Sequence, residues 1–170
     1  MAGHLVRRFL GSLSPRPVAD EDVAWVEATL QPEELALWRR QHRADRAHVV
    51  RVARRVERAL GDEATRPVLA AALLHDVGKV ESHLSTYGRV IATISVALAG
   101  RETAAAWSQT RGFTRRVGLY VRHEELGADL LQVAGSDPLT ISLVRDQSLP
   151  DGERTSPPHL LAALSAADAA

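Results

Sequence analysis

A single all-α domain is the fold class this sequence predicts. Its apolar residues are mostly aliphatic: 45% of the 170 residues are hydrophobic, but only 4% are aromatic. Alanine, leucine and arginine favour helix, and stretches rich in aromatic and β-branched residues are nearly absent. Apolar positions recur at helical spacing, with proline and glycine where helices start and stop. A chain of 170 residues supports one core of useful size and is short for two.

Residues 1–19 end in the helix-hostile run Ser14-Pro15-Arg16-Pro17 and read as an N-terminal arm that opens with a short amphipathic turn. The helical domain takes residues 20–170. Asp20 is the expected N-cap of a first helix through Val23, Val26 and Leu30. Pro32 starts a second at its N1 position, with Leu35, Leu37 and Trp38 as anchors. Trp25 and Trp38 read as core. A third helix runs from about Ala44 to Leu60 and stops at Gly61; Val49, Val52, Ala53, Val56 and Leu60 form its stripe. A fourth spans about Arg66 to Val77. A polar, turn-prone stretch from Glu81 to Arg89 follows, with His83 as a solvated loop residue. Arg89 to Leu98 is helical and closes at Gly100; a weaker stretch carries Trp107. Val117 to Val121 is helical. Asp137-Pro138 opens another helix through Ile141 and Val144, and Ser156-Pro157-Pro158 opens the last.

The chemistry concentrates at the end of the fourth helix. The apolar run Val68 to Leu74 stops abruptly at His75-Asp76-Val77-Gly78-Lys79. Burying an unpaired polar group costs roughly 2–7 kcal/mol, so packing alone gives no reason for this ending. A bound cation does. His75 and Asp76 point about 100° apart, yet both can reach one ion at the helix end. Gly78 reads as the left-handed residue that stops the helix. Lys79 lies just past that end, where it can approach an anion. His48 sits at the edge of the third helix's stripe, either facing a cleft or as an ordinary helix histidine. Asp168 falls one turn after Leu164 on the apolar face of the last helix. It either finds a partner there or is solvated at a fraying end.

A lone histidine, a His-Asp pair and a distant aspartate, all on helices, resemble the HD-domain superfamily of metal-dependent phosphohydrolases. The likeness runs from about Asp45 to the C-terminus, and His-Asp-x-Gly-Lys is its most specific part. It implies the phosphodiesterase-like helical fold and a divalent ion held by His48, His75, Asp76 and Asp168. It also implies a place in the site for His123, which opens a His-Glu-Glu-Leu-Gly-Ala stretch, and a nucleotide-like phosphate as substrate. One departure stands out. Family members with two metals often carry a further histidine near Arg145-Asp146-Gln147; here there is none, and Asp146 is the available substitute.

On that resemblance the chemistry is hydrolysis of a phosphomonoester or phosphodiester by metal-activated water. Asp76, Lys79 and His123 are the candidate catalytic residues. Lys79 and one of Arg89, Arg115 or Arg122 would meet the phosphoryl oxygens, and His123 would orient water or protonate the leaving group. The chain has no cysteine, which excludes disulfides, thiolate zinc sites and thiol nucleophiles. Histidine and carboxylate donors suit Mn, Fe, Co, Ni, Zn or Mg. Lys plus Arg equals Asp plus Glu at 21 each, which argues against a general nucleic-acid surface. No apolar run reaches the ~18 residues of a membrane helix. No signal peptide is read at the N-terminus, and the expected address is cytoplasm. No Walker or dinucleotide loop and no nucleophile elbow occurs. Two other readings remain open. One is a catalytically degenerate HD-like domain that binds a nucleotide or protein partner. The other is a plain helical interaction domain in which His75-Asp76 is a hydrogen-bonded pair.

Overall fold

The computed structural model describes residues 17–170, and they form ten α-helices with no strand among them. The helices are α1 (Asp20–Thr29), α2 (Pro32–Arg40), α3 (Arg43–Leu60), α4 (Arg66–Leu74), α5 (Thr86–Ala99), α6 (Arg101–Ala106), α7 (Gly112–Val121), α8 (His123–Val133), α9 (Pro138–Arg145) and α10 (Pro158–Ala169). The expected amphipathic turn in the N-terminal arm lies outside the described residues. No helix among those described is long and apolar enough to cross a membrane.

Several boundaries follow local chemistry as expected. Pro32 opens α2. Gly61 ends α3 with φ of +55°, a conformation that disfavours side chains. Asp137 caps α9 by accepting from the Leu139 N–H at 2.8 Å. Others differ. Ala19, not Asp20, is the N-cap of α1. The turn-prone Glu81–Arg89 stretch is largely helical: a 3₁₀ segment covers Val77–Ser82, and α5 already begins at Thr86. His83 is exposed with φ of +48° between them. Glu34 is fully buried, a placement its charge does not advertise. Its carboxylate accepts from the Gln31 N–H at 2.9 Å and from Arg66 at 3.3 Å, closing the start of α2.

α4 is the central rod. Every residue from Val68 to Leu74 is buried, and the helix packs against α1, α2, α3 and α9. The run Ala70-Ala71-Ala72 lets neighbouring helices approach closely. The main core joins α4 to Val49, Val52 and Val56 of α3, Leu131 of α8, Leu143 of α9 and Leu164 of α10. Trp38 is buried in it; Trp25 packs at its margin, with the Arg54 guanidinium 3.8 Å from its ring centroid. A smaller cluster holds Leu84, Ala92 and Val117, flanked by Trp107 and Tyr120. The Val77–Ser82 segment runs between the two, packed on α7 and α8.

Two expectations about α4 are corrected here. The helix ends at Leu74 rather than Val77, and Gly78 does not adopt the left-handed conformation. Gly78 serves close approach instead. A Cβ at Gly78 would lie 1.9 Å from the His123 carbonyl oxygen and 2.6 Å from the Gly127 nitrogen. Only a residue without a side chain lets the first turn of α8 lie against this backbone.

Asp146 is likewise settled by packing. It is 1% exposed, and its Oδ2 accepts from the Ser156 N–H, the Ser156 hydroxyl and the Thr155 N–H at 2.7 Å each and from the Thr155 hydroxyl at 3.4 Å. Burial pushes its carboxyl up, but these donors outweigh burial and hold it below the usual carboxylate range. It fastens the loop that leads into α10.

The Gly78 contact makes a prediction. Gly78→Ala should lose at least ~3 kcal/mol of unfolding free energy, the upper end for overpacking, because the obstacle is backbone. Gly152→Ala, where a Cβ meets nothing within 4 Å, should be close to neutral. Denaturant melts of both variants check this; equal midpoints would remove the close-approach role.

Candidate metal centre

Three separated parts of the chain supply the centre: α3, the end of α4, and α10. After Leu74 the backbone leaves the helix. His75 keeps helical angles, and Asp76 sits at φ −95°, ψ 2°, a sparsely used region common in functional sites. This turn lets adjacent residues aim at one point. His75 and Asp76 are 3% and 4% exposed.

The tautomer of His75 follows from its partner. Nδ1 lies 3.0 Å from the Ala72 carbonyl oxygen, which can only accept, so Nδ1 carries the hydrogen. In the neutral ring Nε2 then presents a lone pair. It is buried, has no hydrogen-bond partner, and lies 3.6 Å from Asp76 Oδ1 and 3.7 Å from Asp168 Oδ1. His48 stands edge-on to His75, ring centroids 5.8 Å apart, with its Nε2 2.8 Å from Asp168 Oδ1. Ligand atoms of His48, His75 and Asp76 all lie within 4.8 Å of one another. Asp168 joins them through both imidazoles.

A metal ion fits this donor set. Two imidazoles and two carboxylates converge, and the buried His75 Nε2 lacks the hydrogen-bond partner that burial normally demands. A divalent cation would satisfy that lone pair and the flanking carboxylate oxygens together. His48, His75, Asp76 and Asp168 are the residues that would hold it.

The electrostatics point the same way. Burial pushes the Asp76 carboxyl up, but Lys79 and His75 beside it outweigh burial and hold it well below the usual range. Burial also opposes ionisation of Asp168, and the facing His48 and His75 rings overcome it. Burial would lower the His75 value, but Asp76 and Asp168 raise it. The cluster thus holds anionic oxygens and gathers positive charge to them.

Around it lie the other expected residues. Lys79 bonds the second Asp76 oxygen, Oδ2, leaving Oδ1 to face the histidines. His123, at the start of α8, donates from Nδ1 to the Tyr120 carbonyl at 2.8 Å, and its Nε2 is 3.5 Å from Asp76 Oδ1. The arginines fare differently. Arg89 donates through one nitrogen to both Asp45 oxygens at 2.7 Å. Arg122 grips Glu125 through two nitrogens at 2.8 and 2.7 Å and reaches Ser108 at 3.3 Å. Arg115 is exposed near the start of α7, with no contact that ties it to the cluster. Lys79 and His123 therefore join the centre, and the three arginines do not touch it.

Sequence reasoning missed Tyr120 and Arg101. Tyr120 stacks on His123 with ring planes 26° apart, and Lys79 lies 6.0 Å from its centroid. Tyr120, His123 and Arg101, with Thr93, Val96 and Val121, line a cleft of about 140 Å³ beside the centre. Tyr120 and His123 lie on either side of the break at Arg122, so spacing along one helix gave no signal for their meeting.

Two predictions follow for metal. Asp76→Ala should abolish near-stoichiometric binding of Mn or Fe measured by elemental analysis; full retention would remove Asp76 from the ligand set. Protons compete for the same lone pairs. Because His75 holds its proton more tightly than an ordinary histidine, divalent affinity should rise with pH through the His75 value and level off above it. Metal titrations across pH read the slope; a flat profile would exclude His75 as a ligand.

No family model, no curated protein and no solved structure matches this chain.

Proposed function

We propose that this chain is a metal-dependent phosphohydrolase for a small, nucleotide-like phosphomonoester or phosphodiester. The observation that carries the reading is convergence. Two histidines and two aspartates from three distant segments meet around a buried imidazole nitrogen without a partner, beside a lysine. A divalent ion held there would polarise a phosphoryl oxygen and bring the pKa of bound water towards about 7.

The chain's own residues supply the rest. Asp76 divides its two oxygens, Oδ1 towards the imidazoles and Oδ2 to Lys79. That arrangement holds the ammonium where, beside a bound ion, it would neutralise charge on non-bridging phosphoryl oxygens. His123 is fixed through Nδ1, so any proton it takes or gives passes through Nε2, the atom that faces Asp76. In that place it can orient water or protonate a leaving oxygen. The cleft beside His123 is open to the leaving group, with Tyr120 along its wall.

One observation favours a second reading, a catalytically degenerate domain that binds a nucleotide or protein partner. Arg122, one of the cations expected at substrate, is engaged by Glu125, and Arg89 is turned to Asp45 through one nitrogen, its Nε and Nη2 buried without a partner. Activity separates the two. Protein purified without a metal-affinity tag and loaded with Mn or Fe should hydrolyse p-nitrophenyl phosphate or its bis ester. Lys79→Ala should lower kcat by roughly 10²-fold while metal content stays intact. Loaded protein that hydrolyses neither ester, nor any of a nucleotide panel, would leave the binding reading in its place.

A further inference from the structure

A cavity apart from the metal centre opens where α2 turns into α3. Its volume is about 510 Å³, within the range of roughly 300–1,000 Å³ that small-molecule sites occupy. The floor is apolar: Val18, Val23 and Trp38. The wall is cationic: Arg39, Arg43 and Arg46. No carboxylate among the described residues lines it.

The polar side chains among its described lining residues are all donors. Trp38 is 2% exposed, and its indole Nε1 is buried with no hydrogen-bond partner. Arg46 lies over the Trp38 ring at 5.3 Å from the centroid, and its Nε is also buried without a partner. Donors left in this state each forfeit free energy that an acceptor would recover. Arg43 is exposed and makes no ion pair among the described residues. It is the first residue of α3, an 18-residue helix whose N-cap His42 provides no side-chain bond. The free N–H groups of that first turn add positive potential at the same place.

Of the wall cations Arg39 is already paired, which leaves Arg43 and Arg46, and the nearby acids are all committed. Glu27 holds Arg39 at 2.8 Å, Asp22 holds Arg54 at 2.9 Å, and Asp45 holds Arg89. The adjoining segment of the chain cannot supply the missing charge either. Residues 1–16 contain Arg7, Arg8 and Arg16 and no acidic residue. An apolar floor, a cationic wall and unpaired donors without acceptors define the missing partner by its chemistry.

We propose that this cavity binds a small amphiphilic anion, an acidic head group on an aromatic or aliphatic body. The head group meets Arg43, Arg46 and the start of α3. The body lies against Trp38, Val18 and Val23. The site stands independently of the metal centre, none of whose residues line it.

Phenyl phosphate is the probe, followed through tryptophan fluorescence of the full chain. Inorganic phosphate and benzylammonium serve as comparisons. Phenyl phosphate should bind saturably, at least roughly tenfold tighter than inorganic phosphate, and benzylammonium should not bind. Arg43→Glu should weaken phenyl phosphate by roughly ten- to a hundredfold, and Arg43→Gln by less, as expected for loss of a charge-assisted contact. Arg43 is exposed, so both variants should fold; metal content should be unchanged in both. Unaltered affinity in the two variants would place any binding elsewhere and overturn the proposal. So would equal binding of benzylammonium, inorganic phosphate as tight as phenyl phosphate, or no saturable binding at all.

Discussion

Backbone lies against backbone where Gly78 meets the first turn of α8, and the centre depends on that contact. The space left for a side chain at Gly78 is nil, since a Cβ would enter the His123 carbonyl. Gly127 answers from the other side, its own Cβ position only 3.2 Å from the Gly78 nitrogen. Two chains of peptide groups can approach this closely only where both surrender their side chains. The approach fixes α8 relative to the end of α4. It therefore sets His123 beside Asp76, the carboxylate that Lys79 bonds from three residues along the chain.

The imidazoles are aimed by a shared device. His75 and His123 each donate from Nδ1 to the carbonyl three residues earlier, Ala72 and Tyr120. A backbone carbonyl cannot donate, so each ring is held in one tautomer with Nε2 directed inward. Asp76 Oδ1 lies 3.6 and 3.5 Å from the two Nε2 atoms. A lone pair facing a carboxylate oxygen at that distance is unfavourable unless positive charge lies between them. Ionised Asp76 and Asp168 draw that charge, as protons on the rings or as a cation among them.

The helical class was legible because its signals are local. Aliphatic periodicity, Pro32 at N1, Gly61 and Gly100 at helix ends and Asp137 as a cap each act within a turn or two of chain. His75, Asp76 and Lys79 announced themselves by breaking an apolar run. His48 and Asp168 stood out less, because each has an ordinary helical explanation; their meeting at 2.8 Å belongs to the docking of α10 on α3. The role of Gly78 was misread for the same reason. Glycine after a helix is commonly a stop signal, and only the position of α8 shows that it is a contact. Arg89, Arg122 and Asp146 were ambiguous because charge alone does not name a partner. Asp45, Glu125 and the Thr155-Ser156 amides, which claim them, are settled by tertiary packing.

His48 and Asp168 are 120 residues apart in the chain and touch. In a protein without cysteine, an ion shared by the two would tie α3 to α10 as a covalent bridge does elsewhere. A disulfide survives unfolding and restricts the open chain, whereas a coordinated ion leaves it. Its stabilisation would therefore depend on free metal concentration, growing by about 1.4 kcal/mol for each tenfold increase once binding is saturated. Helix α10, which brings Asp168 to His48, would be the element whose attachment responds most directly to the supply of metal.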